Sequence, residues 1–83
     1  MSALHGTDRR MVVEDMEKWA RTFRIVGSVH VADLLDKARE TIAGGESDPA
    51  LAAELIACAA TRERLPEQRS AARLMLSAAQ IVR

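Results

Sequence analysis

The stretch Pro49–Arg64, PALAAELIACAATRER, decides how the chain folds. Asp48-Pro49 marks its start. The Asp48 carboxylate accepts from free backbone N–H groups, and proline fits the first helical turn, where its missing N–H is not needed. At about 100° per residue, Leu51, Ala52, Leu55, Cys58 and Ala59 fall on one side. Ala50, Ala53, Ala57 and Ala60 fall on the opposite side, and only Glu54 and Thr61 form a polar edge before Arg62-Glu63-Arg64. A helix apolar nearly all round is normally buried. The pattern therefore predicts an all-α fold, a compact bundle of four short helices around a buried Ala-rich third helix. The competing reading is an exposed alanine face kept for helix propensity alone.

Length and composition bound the rest. The 83 residues allow one domain, and a chain of this size buries a limited share of its surface. One Trp, one Phe and no Tyr leave a core of Leu, Ile, Val, Met and Ala. Small cores of this kind gain stability by association, which predicts a homo-oligomer, a dimer first. The 12 basic and 12 acidic residues cancel, against the basic excess usual in nucleic-acid binders. The charge is uneven. Residues 1–61 hold 7 basic and 10 acidic groups (−3), and residues 62–83 hold 5 and 2 (+3), so opposite ends can meet within or between subunits. Ten of the basic residues are Arg, a skew that suggests a high-GC bacterial or phage source.

Cys58 is the single cysteine, so no intrachain disulfide forms, which fits a reducing compartment. No signal-peptide core and no run of membrane-spanning length is present in the sequence. These features predict a cytoplasmic protein with no membrane contact. Cys58 reads as a small core residue, with a reactive thiol beside Arg62 as the alternative. His5, His30 and Cys58 have no metal-ligand spacing, so neither a metal nor a cofactor is expected.

Taken in order, residues 1–6 read as a flexible tail and residues 7–83 as the helical domain. Thr7 or Asp8 caps a first helix that runs to Val26 and stops at Gly27. Its apolar stripe is Val12, Met16, Trp19, Phe23 and Val26. Its charged side carries i,i+4 pairs at Glu14–Lys18 and Glu17–Arg21. Met11, Val13 and Ile25 lie off the stripe and have no home within one subunit, which suggests an interface. Ser28 caps a second helix, Val29–Ala43, with Val31, Leu34, Leu35, Ala38 and Ile42 inward and Asp33–Lys37 paired outside. The β-branched run RIVGSVHV, Arg24–Val31, alternatively forms a strand that pairs with its copy in a dimer. Gly44 supplies the left-handed cap of the second helix. The Gly44–Ser47 loop lacks the strand and Gly-Lys-Ser/Thr ending of a phosphate loop.

Leu65-Pro66 ends the third helix. Glu67–Arg83 forms a fourth, with Ala71, Leu74, Met75, Ala78, Ala79 and Val82 inward and Arg69, Arg73, Ser77 and Gln80 outward. Arg62, Arg64, Arg69 and Arg73 make a basic corner suited to an acidic partner or phosphate. Arg62 and Asp15 border core stripes, and each is expected to find a partner, because unpaired buried charge is costly.

No nucleophile–base pair accompanies His30 and Asp33, so catalysis is not expected. The favoured reading is a small non-catalytic interaction module, an adaptor, regulator or inhibitor that binds another protein as a homo-oligomer. Its candidate partner-binding residues are Arg62, Arg64, Arg69, Arg73, Met11, Val13 and Ile25. The alternative is a small helix-turn-helix-type DNA-binding regulator. It is disfavoured by the long connection between helices two and three and by the absence of a dense base-reading face.

Overall fold

The computed structural model describes the backbone of residues 2–83 and the side chains of residues 9–83. The order is α1 (Ser2–Ile25), α2 (Val29–Ala43), α3 (Pro49–Arg62), a single 3₁₀ turn (Pro66–Gln68) and α4 (Arg69–Val82). The helix bounds begin at Ser2, ahead of the expected start. The side chains on which the tail at residues 1–6 and the cap at Thr7 or Asp8 would be judged lie outside the described residues. The described residues form an all-α bundle of four helices. Among the described residues there is no strand, so Arg24–Val31 is a helix end, a corner and a helix start.

Two glycine corners set the topology. Gly27 has φ +87° and Gly45 has φ +70°, backbone that side chains with a Cβ rarely adopt. After α1, the Ser28 N–H donates to the Phe23 carbonyl at 2.7 Å and the Gly27 N–H to the Arg24 carbonyl at 3.2 Å. After α2, Glu46 N–H donates to Thr41 and Gly45 N–H to Ile42, both at 3.0 Å. Both are Schellman motifs, which satisfy the last carbonyls of a helix while reversing the chain. The left-handed position after α2 is Gly45, whereas Gly44 remains right-handed at φ −82°. The expected assignment is thus one residue early. Ser28 makes no side-chain cap, because the corner already places its backbone.

The start of α3 follows the sequence signal. The Leu51 N–H donates to the Asp48 carboxylate at 3.0 Å, and Pro49 opens the helix. The Asp48 N–H also donates to the Val82 carbonyl, which ties this loop to the end of α4. Leu65 is extended (φ −99°, ψ 113°) ahead of Pro66, as its place before proline dictates.

The helices form two tight antiparallel hairpins, α1–α2 and α3–α4. α4 packs closely on α3 and also touches α1 and α2. It buries Ala71, Ala72, Leu74, Met75, Ala78, Ala79 and Val82, whereas α3 buries only Leu51, Ala52, Leu55 and Ala59. The central helix is therefore α4. The expectation of a wholly buried third helix is corrected: Ala50, Ala53, Ala57 and Ala60 are exposed. The physical reason is area. Each buried methylene is worth about 0.8 kcal/mol, so the leucine side of α3 wins the core. The alanine methyls on the far side remain as helix formers. All five expected inward residues of α2 and all six of α4 are buried, joined by Ala32 and Ala72. In α1, Met16, Ala20 and Phe23 are buried, Val12 and Trp19 are half-buried, and Val26 is out in solvent.

This arrangement predicts unequal costs in the two hairpin helices. Met75→Ala should lower stability by about 2–5 kcal/mol. Ala57→Ser should stay within about 0.5 kcal/mol of the parent. Urea denaturation of both variants checks this, and equal losses would argue against α4 as the centre.

Candidate functional site

The corner between α1 and α2 turns apolar side chains outward. Ile25 is 79% exposed, Val26 66% and Val29 49%. Val26 cannot reach the stripe expected for it, because it belongs to the Schellman turn and no longer follows the helical period. Ile56, Leu65 and Leu76 are further exposed aliphatics that the helical pattern did not single out.

An ionic cluster sits beside that corner. Arg24 donates through Nη2 to Asp33 Oδ1 at 3.1 Å and also to Asp36 Oδ2, and Arg39 Nη2 donates to Asp36 Oδ1 at 3.2 Å. The cluster links α1 to α2. It replaces the expected Asp33–Lys37 pair, which is not formed. Of the two pairs expected within α1, Glu17–Arg21 forms at 3.6 Å on the open surface, and Glu14–Lys18 does not form. Partial burial pushes the Asp36 carboxyl up, but hydrogen bonds from Arg24 and Arg39 outweigh it and hold it below the usual carboxylate range. The Asp36 hydrogen bond, followed by that of Asp33, holds the Arg24 guanidinium above its ordinary value.

Arg62 is half-buried at the end of α3, with its guanidinium 5.8 Å from the centroid of the Phe23 ring. Its partner is thus an aromatic face rather than a carboxylate, and its Nε is buried without a hydrogen-bond partner. Phe23 in turn lies 5.6 Å from Trp19. The aromatic pair acts as packing, as the stripe suggested. Cys58 is half-buried at the edge of the core rather than enclosed in it. Asp15 is exposed and has no ion pair among the described residues.

Two grooves flank α1. One, of about 540 Å³, runs between α1 and α4 and is lined by Met11, Val12, Leu74 and Ile81 together with charged and polar side chains, among them Arg9, Asp15, Arg73 and Gln80. The other, of about 700 Å³, lies between α1 and the end of α2 and contains Val13 against Ile42 and Gly45. The seven candidate partner-binding residues are therefore not one site. Met11 and Arg73 share the α1–α4 groove, Val13 lines the other groove and Ile25 sits on the corner. Arg69 lines a small cleft with Glu63 and Arg73. Arg64 is exposed in the turn before α4, and Arg62 is drawn inward to Phe23.

Among the described residues no group of three or more His, Cys, Asp or Glu side chains is placed to hold a metal ion. No described helix is long and apolar enough to cross a membrane. Comparisons with protein-family models, curated proteins and solved structures gave no match.

The ionic cluster has a pH signature. Because the folded Asp36 carboxyl lies below an unfolded value of about 3.9, its stabilisation is complete above that pH. It is lost as the pH falls through the folded value. Thermal melts of the parent and of Asp36→Asn, from about pH 6 downward, should show the parent losing Tm more steeply in acid. Parallel profiles would show that Asp36 carries no such stabilisation.

Proposed function

We propose that the chain is a small non-catalytic interaction module, an adaptor, regulator or inhibitor that binds another protein and works as a homodimer in the cytoplasm of a bacterium or phage-infected host. The observation that carries this reading is the α1–α2 corner. Ile25, Val26 and Val29 present aliphatic surface within five residues of sequence, on a molecule with few bulky residues to spare. Scattered exposed apolar residues are ordinary, whereas a contiguous group favours a contact. A two-fold contact places the same corner of each subunit against the other, so one patch serves both partners. The small core adds a reason for association, since it contains one Phe, a half-buried Trp and many alanines.

A second reading, a small DNA-binding regulator, draws support from one feature. The outward side of α4 carries Arg69 and Arg73, Arg83 follows its end, and the helix contains no carboxylate. The neutral total charge weighs against it.

Light scattering of the parent should give the mass of a dimer, and Ile25→Glu with Val26→Glu should give a monomer with an unchanged circular dichroism spectrum. A monomeric parent at high concentration would remove the homodimer. Titration with duplex DNA at two salt concentrations separates the readings, because true DNA binding weakens steeply as salt rises.

A further inference from the structure

We infer that the groove between α1 and α4 is the docking site for a helical segment of another protein, apolar on its inner face and acidic along the edge that meets α4. The inference rests on the interaction-module reading and names the chemistry of its partner.

The shape comes from the packing of the two hairpins. α1 and α4 belong to different hairpins and approach each other less closely than the helices within each. An open channel of about 540 Å³ is left between them. Its apolar lining is Met11, Val12, Leu74 and Ile81. Met11 is 53% exposed, and an unbranched thioether adapts to whatever packs on it. Both walls are helices, and α4 alone is 14 residues, about 21 Å long. That length matches about four turns of a docked helix. An amphipathic helix lying in such a channel inserts its i, i+3/i+4 and i+7 side chains between the walls.

Charge selects the partner. Arg73 lines the α4 side of the groove, and Arg69 stands one turn away on the same helix, in the small cleft that Arg73 also borders, an unfavourable like-charge spacing on an isolated helix. Neither forms an ion pair among the described residues, although Glu63 lines the same small cleft. Carboxylates on the incoming helix relieve that repulsion. Each arginine donates two hydrogen bonds to such a carboxylate. Among the described residues that line the groove, the α1 side carries both Arg9 and Asp15. A phosphate backbone leaves the apolar part of the lining, Met11, Val12, Leu74 and Ile81, without a partner.

The test uses the intact chain as bait for a displayed library of amphipathic helical peptides of about 16 residues, four to five turns. The expected selection has apolar residues at i, i+3/i+4 and i+7 and Asp or Glu along one flank. Binding of the selected peptide, made synthetically, should fall at least tenfold with Met11→Glu and with Arg73→Glu, and fall less with Arg73→Lys, which keeps the charge but not the forked donor. Both positions are exposed, and circular dichroism verifies that the variants fold. The proposal is overturned by no enrichment, by peptides without acidic bias, or by affinity indifferent to both glutamate variants. It is equally overturned if Met11→Glu abolishes self-association, which makes the occupant a second copy. Displacement of the peptide by a duplex DNA probe, with DNA binding lost in Arg73→Glu, also overturns it. Ile25→Glu with Val26→Glu should leave peptide binding intact. Loss of the dimer in that variant, or its absence in the parent, therefore bears on the module reading alone and not on the groove.

Discussion

The fold depends on α4 being able to touch every other helix at once. Its buried side alternates pairs of alanines with Leu74, Met75 and Val82. The small residues let backbones approach, and the large ones fill the space that remains between three neighbours. A chain of 83 residues has little surface to hide, so the helix with most neighbours contributes most of the core. The backbone bond from Asp48 to the Val82 carbonyl adds a fixed point where the two hairpins join. Each hairpin is local in sequence, and the channel beside α1 exists because they meet along α4 rather than interleave.

Much of this was legible in the residues. Asp48-Pro49 named the start of α3, Gly27 the end of α1 and Pro66 the break before α4, because each acts through its own backbone or cap chemistry. The inward faces of α2 and α4 followed from period alone, since each has one wide apolar face and a polar opposite. α3 was ambiguous for a physical reason. With alanine on one side and leucine on the other, periodicity says that both are apolar but not which one meets neighbours. Buried area decides that, and area depends on how many helices surround it. Gly44 and Gly45 were indistinguishable for a similar reason, because the choice between them is one residue of helix length.

The candidate site was legible only in pieces. Met11 and Arg73 were singled out on separate grounds, one as a stray apolar residue and one as a charge, and 61 intervening residues hid that they share a groove. The Arg24 contacts reach across 9 and 12 positions of sequence, so no i,i+4 rule finds them. They follow from the Schellman corner, which folds Arg24 back over the first turns of α2. Val26 is missed because the first stripe runs one residue into that corner, and Val29, off the second stripe, carries no periodic signal that marks it as part of a patch. The signal available was their place on either side of Gly27-Ser28, where the period ends.

The half-buried Trp19 packs on Phe23, and Phe23 lies beneath the Arg62 guanidinium where the first hairpin meets the last turn of the third helix. With no tyrosine in the chain, ultraviolet emission comes from this one indole. Nature has thereby placed a built-in optical gauge at the seam, whose colour and quenching respond when the two halves part even if each half keeps its own helices.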